Sequence, residues 1–143
     1  MFRWCPWADV LYAMDAAWWA VYLQEVRRKF KGRKVSPLFI ANDVSYVDFW
    51  HGSNSGQGAI ELAKLRGAEK IILLGYDAQL TDGKTHCHGD HPAGLGNAGA
   101  VNSWPEHMAL TAAKGQAQII NCSRQTALTC FPRAPLETVL ECT

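Results

Sequence analysis

The chain has no long apolar run, no charge excess and no paired-cysteine motif, and each absence narrows what it can be. No segment reaches the roughly 18 apolar residues that a membrane-spanning helix needs. Arg3 is followed by no apolar stretch of signal-peptide length before Asp9 and Asp15, so no secretory leader is expected. The 14 Lys and Arg residues against 13 Asp and Glu leave a formal charge of +1, too little for a bulk attraction to nucleic acid. The one basic run, Arg27-Arg28-Lys29 with Lys31, Arg33 and Lys34, fits a helix C-terminus, where cations oppose the dipole. Five cysteines, an odd number without a Cys-x-x-Cys pair, argue against a disulfide framework. They fit reduced thiols in a cytoplasm.

What is present suffices for a core. A hydrophobic content of 48% with six tryptophans over 143 residues predicts one packed domain. A chain of that length buries roughly two thirds of its unfolded surface. Ala8–Met14 reads as a buried strand, with Asp15 free to cap the next helix. Trp19, Tyr22 with Leu23, Val26 and Phe30 keep a helical period over 16–30, and Gly32 is a plausible stop. Pro37–Ala41 reads as a second strand with Asn42 and Asp43 at its end, and 43–56 as a loop. Gln57–Arg66 reads as a helix with Ile60, Leu62, Ala63 and Leu65 inward, closed by Gly67. Lys70–Leu74 is an apolar strand of the kind buried on both faces. After a long loop over 78–103, Pro105 opens a helix to about Lys114, and Gln118–Cys122 is a fourth strand. A last turn falls over 136–140. Strands alternating with helices predict an α/β fold, a three-layer Rossmann-like domain with a mainly parallel sheet of about four strands.

In such sheets ligands bind outside the carboxyl ends of the strands. Those ends carry Asp15, Asn42, Asp77, and Asn121 with Ser123. Asp and Asn at such places also cap helices and make turns. The segment Asn54-Ser55-Gly56-Gln57-Gly58 opens a helix, where exposed N–H groups favour an anion and two glycines let a phosphate approach. The alternative is a simple N-cap turn on Asn54 or Ser55. Neither the Lys-Ser/Thr of a Walker loop nor the third glycine of a dinucleotide fingerprint is there. Arg124 could clamp a phosphate or face solvent. Cys122 and Cys130 read as core thiols.

The densest chemistry is His86-Cys87-His88-Gly89-Asp90-His91, with three of the five histidines in six residues. The spacing His-x-His-x-Asp-His is similar to the metal-ligand string of metallo-β-lactamase-like hydrolases, which implies a zinc-dependent hydrolase with His86, His88, Asp90 and His91 as ligands. Past residue 91, however, only His107 and no aspartate remain to complete that family's ligand set. The other reading is a polar lid whose histidines bind phosphate or shuttle protons.

Residues 54–63 and 67–77, ending Ile71-Ile72-Leu73-Leu74-Gly75-Tyr76-Asp77, resemble a motif of two related groups. These are the 6-hydroxymethylpterin diphosphokinase-like proteins and the bacterial sialyltransferases of Rossmann type. Asn121-Cys122-Ser123 with Leu128 and Phe131 resembles their closing strand. Trp7–Tyr12 with Asp15–Trp19 resembles a phage- and prophage-encoded branch. The resemblance spans most of 7–135 and implies a nucleotide- or nucleotide-sugar-dependent transferase, moving a glycosyl or diphosphoryl group in the (host) cytoplasm. Ser55, Gly56 and Gly58 would approach phosphate, Asn42 would line the pocket and Asp77 would face the ligand. Asp77, His86, His88 and His91 are then the catalytic candidates, with Mg2+ or Zn2+ as the divalent ion. The glycine-rich strand–helix turn that opens those families precedes the segment matching 8–15 and is not in this sequence, so a non-catalytic nucleotide-binding or interaction module is the alternative. Phe2, Trp4 and Trp7 are expected to form a partner surface, with self-association as one outcome.

Overall fold

The computed structural model describes residues 2–84, 90–92, 94–97 and 99–141. They divide into two compact units, Met1–Ala59 and Ile60–Thr143.

The first unit opens with β1 (Val10–Tyr12) and α1 (Ala16–Lys29), followed by β2 (Arg33–Ser36) and β3 (Ser45–Tyr46). The strands pair in parallel in the order β1-β2-β3, with Val10 opposite Arg33 and Val35 opposite Ser45. The second strand therefore lies ahead of its predicted position. Pro37 has no N–H to give to a ladder, so pairing ends at Ser36. Val35 and Ser36 are fully buried while Phe39 is 85% exposed. Asn42 consequently sits in an exposed turn and not at a strand end. Gly32 does not work as a left-handed helix cap. α1 ends when Phe30 turns extended. A side chain at Gly32 would collide with the Ala8 and Asp9 carbonyls, so glycine lets β2 start against β1, and Arg33 N–H donates to Asp9 O at 2.7 Å.

The predicted stripe of α1 forms the core. Trp19, Val26 and Phe30 pack with Leu11, Ala13 and Val44, and the Trp19 indole N–H donates to Ala13 O at 3.0 Å. Phe2 belongs to this core, edge-on to Trp18 and Tyr22, and is not part of an exposed aromatic surface, whereas Trp4 and Trp7 are exposed. Each such buried side chain contributes about 1.5–3 kcal/mol. The exposed Arg27–Asp43 pair is screened by solvent and adds little beside that burial, so the cluster holds the unit.

α2 (Ser55–Leu65) crosses from the first unit into the second. It buries Ile60 and Leu62 as expected, but Leu65 is exposed and the charged Glu61 and Lys64 are buried in its place. Their side chains meet at 3.1 Å, and Lys64 Nζ also donates to Thr111 O at 2.9 Å. Gly67, at φ +85°, closes the helix.

In the second unit β4 (Lys70–Leu73) pairs in parallel with β5 (Gln118–Asn121), Lys70 opposite Gln118 and Leu73 opposite Asn121. Between them lie a 3-10 turn (Val101–Ser103) and α3 (Trp104–Ala113), and α4 (Leu136–Glu141) follows. Ile60, Leu73, Met108, Ile119, Leu128 and Phe131 form its core. The fold is mixed α/β with parallel strands, as predicted, but the strands form sheets of three and two, not one sheet of about four. Ile71 and Ile72 are only partly buried, so β4 is not a strand enclosed on both faces. Among the described residues no helix is long and apolar enough to cross a membrane.

Candidate functional site

A cleft of about 860 Å³ opens in the second unit where β4 and β5 end. That volume is within the range of small-molecule sites. Leu74, Gly75 and Asp77 enter it from the end of β4, and Cys122, Ser123 and Arg124 from the end of β5. Thr81, Gln125, Arg133 and Glu137 add to its polar lining.

The two strand ends are tied together by an extended set of bonds. Leu73 O accepts from Cys122 N–H at 2.9 Å, the last rung between the strands. Tyr76 N–H then donates to Ser123 Oγ at 2.7 Å, and Tyr76 O accepts from Asn121 Nδ2 at 3.1 Å and Thr126 Oγ1 at 2.7 Å. Asn121 Oδ1 accepts from Ser123 N–H at 3.0 Å, so one fully buried amide serves both loops. Asp77 O accepts from Ala127 N–H at 2.7 Å. The Asp77 carboxylate accepts from Ala78 N–H at 3.1 Å and Thr81 Oγ1 at 3.3 Å. The turn that delivers it is strained: Gly75 has φ +72°, and the buried Ala78 has φ +48° despite its Cβ. A left-handed alanine costs about 1–2 kcal/mol. A side chain at Gly75 would meet no atom within 4 Å, so the cleft is open beside its backbone.

The charges of the cleft are unpaired. Among the described residues Asp77 and Glu137 make no ion pair, nor do Arg124 and Arg133. Arg133 Nη2 donates to Ser123 O at 3.2 Å and Arg124 O at 2.9 Å, which fixes its guanidinium to the β5 loop. Tyr76 is partly buried, and loss of solvent around its phenol pushes it up to about 12. Burial also raises the Cys130 thiol. Cys122 lines the cleft and is not a core thiol.

Of the predicted site residues the structure brings Asp77 and Ser123 into one cleft, with Asn121 beneath them. Among those of the first unit, Asn54 and Gly58 have structural tasks. Asp15 is the N-cap position of α1, extended and exposed, without a side-chain cap bond. Asn54 Oδ1 accepts from Gln57 N–H at 2.9 Å, and Gln57 Oε1 accepts from Ser53 N–H at 2.8 Å, so Asn54 caps α2 in a variant of the capping box. Ser55 and Gly56 lie in the first helical turn. Gly58 makes room for Tyr12, since a Cβ there would stand 2.7 Å from the ring. Tyr12 Oη is buried without a partner among the described residues, and desolvation, then Asp15, raises its phenol to about 12.

His86 and His88 lie outside the described residues. Asp90 is exposed, and His91 N–H donates to Asn97 Oδ1 at 2.7 Å. Among the described residues no three His, Cys, Asp or Glu side chains form a metal site. The sequence reading missed Arg133, Thr81 and Glu137. The signal for Arg133 was its place between Pro132 and Pro135, a stiff stretch presenting one cation. No family model, curated protein or solved structure matches the chain.

Proposed function

We propose that this chain binds a nucleotide or nucleotide-sugar in the cleft at the ends of β4 and β5 and acts as a glycosyl or diphosphoryl transferase. The observation that supports it is a cleft at the carboxyl end of two parallel strands where two guanidinium and two carboxylate groups make no ion pair among the described residues. Charges left open in one cleft suit a ligand with an anionic part and a polyol or metal-binding part. Arg124 and Arg133 would neutralise phosphate oxygens. Asp77 would take a sugar hydroxyl, or with Glu137 share a Mg2+ ion that phosphates complete, the usual mode for that ion. His91, with His86 and His88, would act as acid and base toward the leaving group. The strain at Ala78 supports a functional turn, because such conformations concentrate at ligand sites.

Thermal melting with a panel of nucleotides and nucleotide-sugars, with and without Mg2+, tests binding. A ligand at a hundred times its Kd stabilises the native state by about 2.7 kcal/mol. The expected result is a rise in Tm with at least one member, followed by release of the nucleotide from a sugar donor. No shift with any member at millimolar concentration removes the reading.

A second reading, a binding module without turnover, has its own support. Both oxygens of Asp77 already accept protein hydrogen bonds, which weakens its claim as a catalytic group. Stabilisation by a nucleotide-sugar without turnover selects that reading.

A further inference from the structure

We infer that the cleft selects a diphosphate, so that its ligand is a nucleoside diphosphate or its sugar ester and not a monophosphate, with Arg133 the fixed and Arg124 the mobile half of the anion site. This rests on reading the cleft as a nucleotide site and narrows the class of ligand. The two cations differ in construction. Arg133 spends one nitrogen, Nη2, on two backbone carbonyls of the β5 loop. Nε and Nη1 remain for a ligand, and the head is held before anything binds. A guanidinium ordered in advance loses less freedom on bonding a phosphate. Arg124 is exposed, and its side chain makes no hydrogen bond or ion pair among the described residues. It therefore orders only on a ligand. Arg133 reaches the Arg124 carbonyl at 2.9 Å, so the two residues are coupled at the backbone. Two guanidinium groups line one cleft, so each of two linked phosphates can take a cation of its own.

Calorimetric titration of the whole chain with inorganic pyrophosphate, and with the common nucleosides and their mono- and diphosphates, tests the assignment. The expected result is measurable pyrophosphate binding and a preference for diphosphates over monophosphates of at least about tenfold. Arg133→Gln and Arg124→Gln should each lower diphosphate affinity roughly 10- to 100-fold while changing nucleoside affinity less than about twofold. Arg124→Gln removes no side-chain bond among the described residues, so it carries the test if Arg133→Gln unfolds. Arg27→Gln, which removes one positive charge in the first unit, should leave the preference unchanged. Equal affinity for mono- and diphosphates, or a preference that survives Arg124→Gln and every folded Arg133 variant, overturns the inference and leaves the nucleotide reading standing. Pyrophosphate binding that both variants abolish, with no gain from any nucleoside, keeps the diphosphate site and removes the nucleotide. No binding of any probe overturns both.

Discussion

The side-chain amide of Asn121 donates to the carbonyl of Tyr76 at 3.1 Å and, through its oxygen, accepts from Ser123 N–H at 3.0 Å. One fully buried residue at the end of β5 thereby holds the chain that carries Asp77 into the cleft.

Asn121→Ala removes both bonds and a third, from its Nδ2 to Thr126 Oγ1 at 3.1 Å, and leaves Ser123 N–H without its acceptor. The expected cost is about 2–4 kcal/mol, read from urea unfolding. The Tyr76 amide, bonded to Ser123 Oγ, should also lose hydrogen-exchange protection ahead of the Ile71 amide in the strand. Unchanged exchange at Tyr76 would show that the loop holds itself.

Gly58 and Tyr12 make a pair of opposite predictions in the first unit. Gly58→Ala forces a methyl against the Tyr12 ring and should destabilise by about 1–3 kcal/mol. Tyr12→Phe deletes a buried hydroxyl that has no partner among the described residues, so stability should hold or rise by about 1 kcal/mol. Thermal unfolding of both variants checks the signs. Destabilisation by Tyr12→Phe would mean that the hydroxyl is bonded in solution.

Lys64 and Glu61 are buried on α2 and bound to each other, and Lys64 Nζ also donates to Thr111 O. Lys64→Met alone strands a carboxylate and should cost about 3–5 kcal/mol, as should Glu61→Leu alone by stranding the ammonium. The double variant should recover most of that loss. A double-mutant cycle on denaturant midpoints decides it, and additive single losses would refute the coupling.

Stability should fall at both ends of the pH scale, for separate reasons. Hydrogen bonds from Arg3 at 2.6 and 2.9 Å and from Lys29 at 2.8 Å lower the Glu25 carboxyl to about 2. A depressed carboxyl contributes stability above its ordinary value, lost as pH falls from about 4.5 through about 2. Glu25→Gln should flatten that limb. Tyr12 and Tyr76 are raised to about 12, so the unfolded chain loses their protons first and stability declines as pH rises from about 10 through about 12. Tyr12→Phe should shrink the alkaline loss. Melting temperatures across pH 2–12 read both limbs, and a Glu25→Gln acid limb as steep as the parent's would deny Glu25 its part.

Much of the local structure was legible because its causes are local. The stripe of Trp19, Val26 and Phe30 marks a buried face of α1, and Gly67 stops α2 because only a residue tolerant of φ +85° closes it at that place. Pro37 was also local, but its consequence was misread: the apolar letters of 37–41 outweighed the missing N–H, and β2 formed before them on Arg33–Ser36. Leu65 failed for the opposite reason. Hydropathy alone places it inside, whereas the Glu61–Lys64 pair takes the buried position through a bond to α3 that no local pattern encodes. Asp77 and Ser123 were legible as polar ends of apolar strands. Arg133 was not, because its guanidinium is recruited by carbonyls nine and ten residues back along the chain.

The letters themselves determined the element types, the parallel habit of the strands and the acidic tip of β4, because period, caps and prolines act within a few residues. Only the folded chain decided which strands pair, that Gly58 serves a tyrosine ring, and that Arg124 and Arg133 share a cleft with Asp77. Those outcomes depend on contacts between segments far apart in sequence, where the close packing of one side chain leaves or removes room for another.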